Sequence, residues 1–189
     1  MLIIASPTAR SQQKNHRRKT SSQNKVGTTK SVEARWYTFR GPDGDFTINF
    51  PAEPKRTEDV QGPVTVLRRY NLAVGSMYFE ISIQDFGGTP WSSEANEFDP
   101  KFEQNLSELL IKEGFRIVQL RRKAKNIYEM EAWSPAATLG DFFHNRARGI
   151  IHKGRNYRMG CNSLLVGQEV DNGRCRRFFN SFRITGDPR

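Results

Sequence analysis

A chain of 189 residues is the size of one domain with room for an appendage, and 36% hydrophobic residues with thirteen phenylalanines suffice for one core. A mean hydropathy of -0.70 places part of the chain outside that core. No stretch approaches the ~18 apolar residues of a membrane-spanning helix, so a helical transmembrane segment is excluded.

The formal charge of +10 is concentrated at the start. Residues 1–35, MLIIASPTARSQQKNHRRKTSSQNKVGTTKSVEAR, hold eight Lys or Arg and one acid, Glu33, which accounts for +7. After Ala5 this segment has no aromatic residue and almost no aliphatic run, so it buries too little surface to offset the entropy of ordering. It reads as a disordered basic tail whose Arg17, Arg18 and Lys19 form a candidate contact for an anionic surface. It offers no stacking platform for single-stranded nucleic acid. Ala9 and Ser11 stand where the small residues of a secretory cleavage site would, just before Gln12, so a mature chain beginning near Gln12 is one expectation and an ordinary N-terminus the other.

Further along, FRGPDGDFTINFPAEPKR, residues 39–56, raises the question of a ligand-cradling loop. WYTF before it and FTINF after it alternate, the latter putting Phe46, Ile48 and Phe50 on one face. Between them Pro42, Asp43 and Gly44 supply turn chemistry, and Asp43 with Asp45 falls short of a calcium loop. A hairpin is expected, stopped by Pro51 and Pro54. A second hairpin is expected over 63–84, turning at Gly75 and Ser76. A loop with Gly87, Gly88, Pro90 and Trp91 follows, Trp91 reading as a lid over the core edge.

A helix is predicted over about 100–113, with Asp99 as cap and Gly114 just past the end. Its apolar stripe is Phe98, Phe102, Leu106, Leu109 and Leu110. Four strand candidates come next, in FRIVQL, NIYEMEAW, DFFHNRARGII and RNYRMGCNSLL. In NGRCRRFFNSFRI, Cys175, Phe178, Phe179 and Phe182 recur at helical spacing and predict a short final helix. About eight strands and two helices without alternation point to an α+β class with an antiparallel sheet and helices packed on it.

The start WYTFRGPDGDFTINFPAEP, 36–54, and the end RFFNSFRI, 177–184, resemble those of bacterial secreted proteins related to PsbP, the extrinsic protein of the photosystem II oxygen-evolving complex. The resemblance covers roughly 36–184, leaving 1–35 as the tail and 185–189 as a short C-terminal extension. It implies a central antiparallel sheet flanked by helices, an α/β/α sandwich shared with a nuclear-import factor that binds the GTPase Ran. Photosynthetic members assist manganese, calcium and chloride retention, but no metal motif carries over to this chain, and no cofactor is expected.

Cys161 and Cys175 both point inward on their predicted elements. They are either two buried thiols or a candidate disulfide, and the oxidising compartment implied by the resemblance and by the N-terminal motif favours the disulfide. Of the histidines, His16 is in the tail, and His144 and His152 lie about 27 Å apart on one strand at ~3.4 Å per residue, too far to share a metal. A surface role is expected for both. Ser163 and Ser181 lack a nucleophile-elbow context, and Glu129 and Glu131 share a strand face that looks solvated. Arg121, Arg122 and Lys123, with Lys125 and the RCRR of 174–177, form a candidate second anionic contact; the plainer reading is solvated arginines bordering the sheet.

The leading expectation is a noncatalytic secreted or envelope module, periplasmic or secreted with the cytoplasm as the alternative, that binds a protein partner or assists an assembly. It predicts a domain without a deep polar pocket. Tail-driven binding to nucleic acid or anionic membrane is the first alternative, and a hydrolase or metal enzyme, for which no motif stands out, is the second. The partner and the oligomeric state are not specified by the sequence.

Overall fold

In a computed structural model describing residues 35–60, 66–85 and 97–186, ten strands form two antiparallel sheets. The first hairpin pairs β1 (Tyr37–Arg40) with β2 (Phe46–Phe50). Gly44 takes a φ of 71° at its turn, a conformation that costs glycine little. Proline stops β2, yet the chain re-enters extended structure at once as β3 (Lys55–Val60), an edge strand with no apolar alternation to announce it. The second hairpin, β4 (Val66–Val74) and β5 (Met77–Asp85), turns at Gly75 and Ser76.

Helix α1 (Phe102–Lys112) follows, its start steadied by the Lys101 N–H donating to the Asp99 carboxylate at 2.6 Å. The chain then runs up and down through β6 (Arg116–Ala124), β7 (Ile127–Pro135), β8 (Phe142–His152) and β9 (Arg155–Ser163). Helix α2 (Asn172–Ser181) starts at Asp171, whose side chain accepts from the Arg174 N–H. The segment after it becomes β10 (Arg183–Ile184), which pairs with β2.

The large sheet has the order β3-β4-β5-β9-β8-β7-β6 and the small one β1-β2-β10. The expected α+β sheet flanked by helices, an α/β/α sandwich, is therefore not what forms: the protein is mostly β, with a three-stranded sheet and one helix against part of one face of the large sheet and one helix on the other. The two helices are short, and the layer over β4, β5 and β9 is built largely by strands.

Because strand side chains alternate, each face of the large sheet carries its own core. On the first face, Phe79, Ile81 and Ile83 of β5 and Tyr157 and Met159 of β9 meet Phe46, Ile48 and Phe50 of β2 and Phe178 of α2, all essentially unexposed. Phe178 stands edge-on to Phe50 and Phe79, with ring centroids 5.0 and 5.4 Å away. Burying each such ring contributes about 2 kcal/mol. On the second face, α1 lays Phe102, Leu106 and Leu110 over Tyr128 and Met130 of β7 and Ala147 and Ile151 of β8. Leu109, expected in that stripe, is 54% exposed instead. Tyr128 lies over its cross-strand partner Gly149, where a Cβ would fall 1.9 Å from the ring, so only glycine fits there.

Cys161 of β9 and Cys175 of α2 stand at disulfide distance with Cα atoms 5.7 Å apart, both fully buried. The pair ties α2 to the first face.

Candidate functional site

The two half-cores leave part of the first face uncovered by apolar layers. Past α2 that face carries a charged ladder built by register. Arg121 of β6 is paired with Glu129 of β7, and Glu129 with Arg148 of β8. Two residues along, Glu131 is paired with Arg146 of β8, while its partner on β6, Gln119, is neutral. Opposite charges set directly across antiparallel strands attract, so the ladder helps fix the register that creates it.

Between the ladder and α2 lies an open cleft of about 250 Å³, with Arg176, Phe179 and Asn180 on the helix wall. The Glu129 carboxylate is its centre. Its Oε1 accepts from Arg148 Nη2 at 2.7 Å and Nε at 3.0 Å and lies 3.2 Å from Lys123 Nζ, while Oε2 accepts from Arg121 at 3.0 Å. Burial pushes this carboxyl up, but hydrogen bonds from Arg121, Arg148 and Lys123 outweigh it and hold the group at about 2. Arg148 also donates to the Phe179 carbonyl at 3.1 Å, stapling the end of α2 to the sheet.

Glu131 is held on both oxygens, by Arg146 at 2.6 Å and by His144 Nε2 at 3.1 Å. The Val170 N–H donates to His144 Nδ1 at 3.2 Å, so the imidazole proton sits on Nε2. His144 is 2% exposed beside Trp133, which corrects the expected surface role: pointing onto the first face, it is covered by the segment leading into α2. Glu129 and Glu131 likewise lie not on a solvated face but in this ion-paired cleft, with side chains 18% and 22% exposed.

Of the proposed basic strip, Arg121 and Lys123 line the cleft. Arg122 does not join them. Strand alternation turns it to the opposite face, where it donates to the carbonyls of Asp99 and Phe98 at the start of α1. Lys125 pairs with Glu97, and of the RCRR segment only Arg176 reaches the cleft. Arg17, Arg18, Lys19, His16 and Trp91 lie outside the described residues. The expectation was of a domain without a deep polar pocket; clustered ionisable groups line this cleft, which is open.

A second charged cluster arises from the GPDGD loop. Arg155 of β9, with a side chain 4% exposed, donates to Asp43 at 3.0 Å, to Asp45 at 2.8 Å and to Asp85. Tyr157 donates to Asp45, and Arg68 bridges Asp43 and Asp85 at 2.8 and 3.3 Å. Burial pulls the Arg155 guanidinium down, yet Asp45 and Asp85 outweigh it and raise it; burial, then Asp45, pushes the Tyr157 hydroxyl up. The loop's acids fasten the hairpin to the sheet.

Among the described residues, no group of three or more His, Cys, Asp or Glu side chains is placed to hold a metal ion. No described helix is long and apolar enough to cross a membrane. Ser163 and Ser181 spend their hydroxyls on turns and helix ends, Ser163 with Leu165 and Ser181 with Phe178 and Asn49.

No family model and no curated protein matches the sequence. Among solved structures, the chain is similar to the solution structure of cyanobacterial PsbP (CyanoP) from Synechocystis sp. PCC 6803, at 11% identity and a TM-score of 0.48 over 87% of this chain and 98% of that one. It is also similar to a crystal structure from Bacteroides thetaiotaomicron VPI-5482, at 13% identity and a TM-score of 0.40 over 79% of this chain. The match spans 48% of that longer protein, about half its length.

Proposed function

We propose that the chain is a noncatalytic secreted or envelope module that binds a protein partner or assists an assembly. The observation that carries this reading is the cleft between the ladder and α2, whose two acids are each already held by cations. A general acid or base works best with a pKa near the operating pH and with a free face toward substrate. Glu129, held at about 2 and gripped on both oxygens, has neither. What the cleft presents to solvent is binding charge.

The buried Cys161–Cys175 pair supports an extracytoplasmic setting, because disulfides persist in oxidising compartments. The resemblance of residues 36–54 and 177–184 to secreted PsbP-related proteins agrees with it. The test is the intact, non-reduced mass of the protein recovered from fractionated cells, with crosslinking in the envelope fraction. A bridged chain in the envelope, crosslinked to a discrete partner, is the expected result. A full-length reduced chain in the cytosol, or turnover in a broad substrate screen, overturns the reading.

A further inference from the structure

We propose that the cleft is the docking site for an acidic, carboxylate-bearing segment of a protein partner, and that Glu129 holds its cations in the place that the partner's carboxylate takes. The proposal rests on the binding-module reading and deepens it by naming the chemistry of the partner.

The ladder states what the site prefers. Across β8, β7 and β6 the charges run Arg148, Glu129, Arg121, and the row stops at β6, the last strand of the sheet among the described residues. It therefore ends on a cation. Arg121 is 51% exposed and Lys123 46%, and each has Glu129 as its acid partner, so one carboxylate divides its charge between them and Arg148. Lys123 sits where the register of β6 against β7 shifts, outside the paired rows. On the facing wall Arg176 is exposed and makes no ion pair among the described residues. With Arg146 and Arg148 the cleft holds five cations against two acids.

The cations are not equivalent. Arg148 is committed to the fold, since its remaining donor holds α2 through Phe179 and Asn180. Arg146 is spread between Glu131 and Asn172. Arg121, Lys123 and Arg176 are left to meet a ligand from two sides. Exposed ion pairs contribute only about 0–1 kcal/mol, so Arg121 and Lys123 exchange Glu129 for another carboxylate at little cost. The site's own occupant is a carboxylate held at its centre, and the cations are divided between a strand and a helix wall rather than spread over a flat face. That geometry suits an extended acidic peptide and disfavours a membrane surface.

The full-length chain is titrated with a fluorescent ten-residue oligoglutamate peptide at several salt concentrations, with inorganic phosphate and phosphatidylglycerol vesicles as competitors. Binding that weakens as salt screens the charges is expected. Arg121→Ala with Lys123→Ala lowers affinity about tenfold, whereas Lys55→Ala with Arg56→Ala, the same charge change at the far edge of the sheet, has little effect. Glu129→Gln keeps an oxygen for Arg148 but releases Arg121 and Lys123, and it tightens binding about threefold.

Peptide binding unchanged by the cleft double variant overturns the proposal and assigns the attraction to the basic N-terminal segment. Affinity unchanged or weakened in Glu129→Gln overturns the role given to Glu129. Stronger capture by vesicles or phosphate through the same residues overturns the choice of partner. None of these outcomes bears on catalysis or compartment, so a failure here is separable from a failure of the binding-module reading.

Discussion

The two charged clusters use the same side chains for opposite ends. Around Arg155, three aspartates and two arginines close on one another beneath the first hairpin, and the central guanidinium is 4% exposed. Around Glu129, cations exceed acids and the outermost are half exposed. Buried charge must be satisfied inside the protein, because an unpaired ion in low dielectric is far more costly than a missing surface pair. A charge left at a cleft is satisfied by water and remains available for exchange. Burial, more than residue type, separates a structural network from a binding surface.

The largest way to break this comparison is Arg155→Met. It strands Asp45, which is 1% exposed, against Tyr157 alone, and costs about 4 kcal/mol in urea unfolding. A loss below about 1 kcal/mol would put the hairpin cluster in the same class as the cleft. Next comes Cys161→Ala with Cys175→Ala. Removing a link across a sequence separation of 14 costs about 3 kcal/mol in the chain-entropy model, read as a lower urea midpoint relative to the oxidised wild type. Arg148→Ala is third, at roughly 2 kcal/mol, since it removes charged hydrogen bonds to Glu129 and the staple on the Phe179 carbonyl. Arg121→Ala, by contrast, costs no more than about 0.5 kcal/mol, because Arg121 is half exposed and Glu129 keeps Arg148 and Lys123.

Much of the hairpin frame was legible. Alternation marked β2, four strand candidates anticipated β6 to β9, and turn chemistry marked Gly44 and Gly75. Strands whose pairing is decided elsewhere were not. Lys55–Val60 has no apolar period because it lies at an edge, and Arg183–Ile184 is too short to show one and pairs with β2 across most of the chain. Leu109 fits the helical stripe of α1 by spacing, yet α1 packs over β6, β7 and β8 through Phe102, Leu106 and Leu110 and leaves Leu109 54% exposed.

The site was half legible for a related reason. Reading Arg121, Arg122 and Lys123 as one patch ignored that strand neighbours point to opposite faces. The signal available was the pattern Glu129-x-Glu131 against Arg146-x-Arg148, alternate acids and alternate arginines on consecutive strands, which predicts a ladder once the strands are taken as neighbours. Nothing local connects Asp45 to Arg155. They meet because the Asp85↔Arg155 register brings β5 and β9 under the first hairpin.

The test in acid sharpens the comparison most. The Glu129 carboxyl ionises near 4.5 when unfolded and at about 2 in the cleft. With the folded value depressed, the unfolded chain takes up the proton first, so the contribution of these ion pairs is complete above about pH 4.5 and drains away as pH falls toward 2. Asp43 shifts the same way, held down by Arg68 and then Arg155 against the opposing pull of burial, so the hairpin cluster adds a parallel loss. Glu129→Gln deletes only the cleft's share. Unfolding free energy measured between pH 4.5 and 2 should therefore fall less steeply in Glu129→Gln than in the wild type, and should keep the part due to Asp43. Salt should narrow the difference, because the Arg121 and Lys123 pairs are exposed to screening while those of Arg155 are not. Identical slopes would mean that Arg121 and Lys123 do not hold Glu129 in solution, and the cleft would then have no internal carboxylate for a partner's acid to displace.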